Sequence, residues 1–266
     1  MKISVSNIAW DIKYDEEVAK ILKKNKIHQI DIAPSKYFSE LKNIPDYQIK
    51  KIKDFWRSNE IKIIGMQSLL YKKDKFNIFG SKKIRMDMLQ YLKIVANLGA
   101  KIGAKKLVFG SPKNRDIKHL KPNEAEDLAV EFFYRLGSIA KEEGVYFCLE
   151  PNPKIYNCNF MTNFNETLKI VKKVGSKNIK IQIDTGELIV NQIKVDQLKK
   201  NKKFVGHIHL SEPYLIPLHD QKSHKKIGFE IKNMFNKSFI TIEMLAKRNF
   251  LINLSNSIKF AKKHYG

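Results

Sequence analysis

The sequence predicts an α/β chain folded as one closed (β/α)8 TIM barrel, and three observations carry the prediction. Short apolar runs of strand length alternate with helix-periodic segments, eight of each, and such alternation predicts a parallel sheet. The chain has 266 residues, the length of a single barrel of this kind. No shift in composition and no Pro-, Gly- or Ser-rich linker divides it, so residues 1–266 read as one domain. A doubly wound open sheet is the alternative. It ranks below the barrel because the first strand-to-helix turn lacks the glycine fingerprint of a dinucleotide fold.

In order, the first strand lies in Lys2 to Trp10 with its exit loop, and Tyr14 to Lys24 is helical, acids first and lysines last. His28 to Pro34 is a second strand stopped by proline, followed by a helix over 46–59 with Ile49, Ile52 and Phe55 on one face. Ile61 to Ser68 is the third strand. The long connection over 69–81 carries Tyr71, Phe76 and Phe79, as lids and pocket walls do. A helix from Lys82 to about Leu98, ending at Gly99 and Gly103, precedes the fourth strand, Lys105 to Pro112. Residues 123–143 form a helix closed by Gly144, and Val145 to Glu150 is the fifth strand. Asn163 caps the next helix, which Gly175 ends. Ile179 to Asp184 is the sixth strand, ending at Thr185-Gly186, with a short helix over 195–200. Phe204 to Pro213 holds the seventh strand, 222–236 a helix, Ser238 to Glu243 the eighth strand and Phe250 to His264 the last helix.

Composition narrows the function classes. No apolar stretch approaches the roughly 18–20 residues that span a bilayer, and no apolar signal region follows Met1. Only Cys148 and Cys158 occur, so no disulfide framework is expected. These features predict a cytoplasmic protein without a membrane partner. The net charge is +23, but lysines are spread over every segment rather than gathered in a stripe, which argues against a specific nucleic-acid partner. The field they make would still draw in anionic small molecules.

In a barrel, the residue at the C-terminal end of a strand lines the mouth where active sites are built. Those ends carry Glu150, Asp184, His209 and Glu243 on strands five to eight, spaced by 34, 25 and 34 residues, close to one unit each. Each carboxylate follows an apolar run, where an ionised group is costly unless a cation or hydrogen bonds compensate it. Three carboxylates and an imidazole suit Mn²⁺, Mg²⁺ or Co²⁺ better than a thiolate-type zinc site, although Zn²⁺ accepts the same donors. His207 shares the strand face of His209 and is a neighbouring hydrogen-bonding group or a substrate contact. Lys113 and Arg115, after strand four, can bind a phosphate, a carboxylate or a nucleotide group. Glu212 and Trp10 are further candidate substrate contacts. His219 and His224 can reach the mouth from the loop after strand seven.

Leu149-Glu-Pro-Asn152, Ile183-Asp-Thr-Gly186, His207-Ile-His-Leu-Ser-Glu212 and Ile242-Glu243 together resemble the xylose isomerase-like barrel superfamily, in the sugar isomerase and epimerase branch that includes the ketose 3-epimerases. The resemblance implies one divalent cation held by Glu150, Asp184, His209 and Glu243. It implies a small carbohydrate as substrate, free, phosphorylated, acidic or nucleotide-linked. It also implies proton transfer by Glu150 and Glu243 through a cis-enediolate. The ketose 3-epimerases usually carry a further glutamate, histidine and arginine after strands five, six and seven. Here those neighbourhoods read Pro153-Lys-Ile-Tyr156, Gly186-Glu-Leu188 and Pro213-Tyr-Leu215, which argues against an ordinary free ketohexose.

Three other readings remain. A dehydratase of a keto-polyol would use the same enediolate, and a barrel of this kind can also bind a sugar without turning it over. An abasic-site endonuclease would need histidines near the ends of strands two to four, which read Asp31 to Pro34, Met66 to Ser68 and Phe109 to Ser111. A homo-oligomer is compatible with every reading.

Overall fold

The alternation read from the sequence closes on itself. The computed structural model describes residues 1–193 and 195–266. Its strands are β1 (Lys2–Ser6), β2 (Gln29–Ile32), β3 (Lys62–Met66), β4 (Lys106–Phe109), β5 (Tyr146–Leu149), β6 (Ile179–Asp184), β7 (Val205–Leu210) and β8 (Phe239–Ile242). Each pairs in parallel with the next, and β8 returns to β1, so the sheet has no open edge. The helices outside are α1 (Asp15–Lys24), α2 (Asp46–Ser58), α3 (Lys82–Ile102), α4 (Pro122–Glu142), α5 (Phe164–Val174), α6 (Thr185–Val190), α7 (Asp196–Lys200), α8 (Gln221–Phe235) and α9 (Phe250–Tyr265).

The helix ends mostly obey the local signals. The Asn163 side chain accepts the Glu166 N–H at 3.0 Å and starts α5, and Gly175 ends it at φ 66°. Two expectations are corrected. Helix α3 runs through Gly99 to Ile102, and the chain turns only at Gly103, whose φ is 99°. After β6, Thr185-Gly186 does not open a loop: α6 starts at once, because the Asp184 carboxylate accepts the Glu187 N–H at 2.8 Å and caps it. Unit six therefore carries two helices rather than one.

The core lies between strands and helices, where buried rings such as Phe109 and Phe133 meet edge to face at 5.4 Å. Burying each such side chain contributes about 1.5–3 kcal/mol. Cys148 and Cys158 are buried free thiols, and burial pushes the Cys148 thiol up to about 12. No helix among the described residues is long and apolar enough to cross a membrane. The connection after β3 divides in two. Leu69 to Lys72 and Asp74 line a cavity at the mouth, while Phe76 packs on Tyr91 and Phe79 on Phe160.

Candidate metal centre

Neighbouring strands hold register at the mouth: Asp184 pairs with His209, and His209 with Thr241. That register brings Glu150, Asp184, His209 and Glu243 together, with one donor atom from each within 4.8 Å of the others. His209 Nδ1 lies 3.1 Å from Glu243 Oε2 and 3.7 Å from Glu150 Oε1. Glu150 follows β5 directly, and its room is made by Gly110, where a Cβ would stand 2.0 Å from Glu150 Oε2.

Each member is held from behind. The Gln67 amide donates to Glu243 Oε1. The Ser211 hydroxyl donates to Asp184 Oδ2 at 2.6 Å, opposite the α6 cap on Oδ1. The Asn152 amide approaches Glu150 Oε2 at 3.5 Å, and Arg115 Nη1 donates to the Glu150 carbonyl at 2.7 Å. Asp31, at the end of β2, receives His207 Nε2 at 2.5 Å and faces His209 Nε2 at 3.5 Å. With its Nε2 side turned to Asp31, His209 presents Nδ1 to the three carboxylates. A carboxylate behind a ligating imidazole fixes its tautomer and orientation.

The charges of the cluster are poorly compensated. Burial pushes the Glu150 carboxyl up to about 8, reinforced by Glu243 and Asp184. Burial and Glu243 push Asp184 up to about 6 against the pull of the Ser211 hydroxyl. Burial would lower His209, but Glu243 and Asp31 outweigh it and hold the imidazole well above its ordinary value. Beneath, burial lowers His207 to about 4 despite Asp31. Burial would raise Asp31, yet the contacts with His207 and His209 hold it well below the usual carboxylate range. An ionised Asp31 with a neutral His207 donating to it satisfies both directions.

Of the residues read as substrate contacts, Lys113 and Glu212 border the cavity and three do not. The Lys113 ammonium stands 3.7 Å from Asp74 at an exposed rim. Glu212 Oε1 is taken up by the His219 and Asp220 N–H groups at 2.8 and 2.7 Å, which tie the loop after β7 to α8. Trp10 is corrected to a core residue: it is fully buried, its Nε1 donates to Asp15 Oδ1 at 2.7 Å, and its ring meets Trp56. The chain turns as a short 3₁₀ helix after β1 and carries the indole under the helices. Arg115 is likewise corrected, since its guanidinium is fully buried and directed at the Glu150 backbone. His207 lies below the mouth with its Nε2 engaged by Asp31, so it is the hydrogen-bonding neighbour and not a substrate contact. His219 is exposed beside Glu212, and His224 is buried against Tyr265.

Sequence reasoning passed over Asp31, Gln67 and Glu187. The first two stand at strand ends, a position that flags them. Glu187 is placed by α6, lines the cavity and is pushed up to about 8 by burial although Asn191 donates to it.

Exchanging Asp31 for Asn is expected to weaken divalent-metal affinity about 10–100-fold, as loss of such supporting carboxylates does. Titration with Mn²⁺ followed by calorimetry measures it, and unchanged affinity would remove Asp31 from the centre.

The model of a family described as the xylose isomerase-like TIM barrel matches residues 20–240. Among solved structures, the fold is similar to a D-psicose 3-epimerase from Clostridium cellulolyticum H10, at 17% identity and a TM-score of 0.81, over 100% of this chain and 99% of that one. It is also similar to the 3-keto-D-glucoside 4-epimerase YcjR from E. coli, at 13% identity and 0.78, over 99% of both chains. A third similar structure is the IOLI protein with a bound zinc atom, at 17% identity and 0.72, over 99% of this chain and 96% of that one. At these identities the likeness is one of fold. No curated protein matches the sequence.

Proposed function

The chain belongs to the xylose isomerase-like TIM-barrel family, and from that premise we propose that it is a divalent-metal-dependent isomerase or epimerase of a sugar or sugar derivative. The observation that carries this reading is the convergence of Glu150, Asp184, His209 and Glu243 at the mouth of the barrel. Burial first and the neighbouring carboxylates second raise the proton affinities of Glu150 and Asp184, and a divalent cation held among them would offset both. The donor set fits: hard oxygens with one imidazole suit Mn²⁺, Mg²⁺ or Co²⁺, and Zn²⁺ accepts the same groups.

Those four side chains would hold the ion. Once bound, it supplies Lewis acidity toward a carbonyl and its neighbouring hydroxyl, which makes the C–H between them more acidic. The remaining work falls to the chain. Glu150 and Glu243 enter from β5 and β8, three strands apart around the barrel, and can address a substrate from different sides. Gln67 engages Oε1 of Glu243, and Oε2, 3.1 Å from His209 Nδ1, is the oxygen turned into the cluster. On Glu150 the corresponding oxygen is Oε1, since Asn152 approaches Oε2. Removal by one carboxylate and return by the other inverts or moves the centre. Leucine, proline and tyrosine side chains line the walls above it.

The test is deuterium wash-in. The Mn²⁺-loaded protein in D₂O is expected to exchange the proton beside the carbonyl of its sugar, followed by NMR. Chelation should stop the exchange, and Mn²⁺ should restore it. A protein that binds Mn²⁺ through these residues yet exchanges nothing into any ketose or aldose would be a binding barrel, and the reading would fail. The same spectra report loss of a hydroxyl, the signature of a dehydratase.

A further inference from the structure

The cavity above the four side chains has a volume of about 650 Å³, within the range of pockets that take drug-sized ligands, and opens to solvent at the mouth. A hexose, with about a dozen non-hydrogen atoms, is smaller than the drug-sized ligands that pockets of this volume take. Three tyrosines from three different loops line that space: Tyr71 after β3, Tyr156 after β5 and Tyr214 after β7. Tyr71 and Tyr214 are 58% and 62% exposed, large rings left open to solvent. Tyr156 and Tyr214 meet edge to face with centroids 5.5 Å apart, and the Tyr214 N–H donates to the Tyr156 hydroxyl at 3.0 Å. Tyr214 and Leu215 both stand in the left-handed region, at φ 60° and 51°, a conformation costly for residues with side chains. Such backbone persists where its surroundings impose it, and it clusters at ligand-binding sites.

Lys72 and Lys113 are the lysines of the cavity lining, and they are not arranged as a phosphate clamp. The Lys113 ammonium faces Asp74, Arg115 is fully buried outside the cavity lining with Nη1 on the Glu150 carbonyl, and Lys72 Nζ stands 5.5 Å from the centroid of the Tyr71 ring. No guanidinium is offered to the cavity by these residues, and bidentate capture of an anion is what a guanidinium provides. Exposed aromatic faces are surfaces on which the C–H faces of a sugar ring or an aromatic ring can lie.

We propose that the substrate is a neutral glycoside, a reacting sugar that carries a second ring. This rests on the isomerase or epimerase reading above. The reacting sugar meets Glu150 and Glu243, and the second ring lies against Tyr71, Tyr156 and Tyr214. A ketose disaccharide with a free carbonyl unit is the simplest molecule of this class.

The test compares deuterium wash-in by the Mn²⁺-loaded protein into isomaltulose, D-fructose and fructose 6-phosphate. The expected kcat/KM for isomaltulose is at least tenfold above that for either of the others. Tyr71→Ala and Tyr214→Ala, at exposed positions, are expected to raise KM for isomaltulose at least fivefold more than KM for fructose, with kcat changed less than twofold. Preference for fructose 6-phosphate, or equal effects of the variants on both sugars, would overturn the proposal. If none of the three sugars exchanges, calorimetry with isomaltulose decides this proposal separately from the catalytic reading. Binding weakened by Tyr214→Ala would uphold the second-ring site; binding that is absent, or equal in the variant, would overturn it.

Discussion

Glu150→Gln and Glu243→Gln are each expected to lower kcat by at least about 10²–10⁴, the range that a positioned acid or base contributes. The barrel should remain folded. Glutamine keeps the volume of the side chain, so the contacts with Asn152, Gln67 and the space over Gly110 persist. The amide cannot take a proton, and it is a weaker ligand. The stability effect at position 150 runs opposite to activity. The Glu150 carboxyl is pushed up to about 8, first by burial and then by Glu243 and Asp184, so its ionisation weakens the metal-free fold. At pH 8, Glu150→Gln is therefore expected to raise the melting temperature of the metal-free protein by at least about 2–4 °C, the shift that about 1 kcal/mol makes in a domain of roughly this size. Circular dichroism and turnover measured on the same samples check both halves. Near-wild-type turnover in either variant would sink the mechanism.

The second large effect is the dependence on pH and metal. Between pH 6.5 and 8, Glu150 and Glu187 titrate in the folded chain near 8, whereas the unfolded chain has lost those protons by pH 5–6. His209 is also held above its ordinary value. The folded state thus binds more protons than the unfolded state in this window, and the metal-free protein loses stability as pH rises. Asp31 titrates below the window, whereas His207, lowered to about 4 from an ordinary value at the window's lower edge, and the lowered His264 and Met1 amino group offset only a part of the loss from the two glutamates. A divalent ion needs Glu150 and Asp184 ionised and His209 unprotonated on Nδ1, so its binding releases protons and strengthens as pH rises. The stabilisation by saturating Mn²⁺ is expected to be larger at pH 8 than at pH 6.5. Calorimetry in buffers of different ionisation enthalpy should show release of at least one proton. A melting temperature for the metal-free protein that rises from pH 6.5 to 8, or metal binding without proton release, would contradict this account of the charges.

Periodicity and spacing were enough to determine the barrel and to pick out Glu150, Asp184, His209 and Glu243. The reason is physical. In a closed parallel barrel, the end of each apolar run is the mouth, so an ionisable residue there is placed by chain position alone. The same logic reaches Gln67 and Asp31, which also end strands, but their uncharged or solitary appearance gave no reason to group them with partners 176 or more positions away. Only the tertiary structure decided what lies behind and around the four. It joined Asp31 to His207 and His209, turned Arg115 from a rim cation into a prop for Glu150, and sent Trp10 into the core. It also began α6 at Asp184, which put Glu187 at the cavity. Those placements depend on the directions taken by loops and side chains after the strands end, and hydrophobic periodicity carries no information about them.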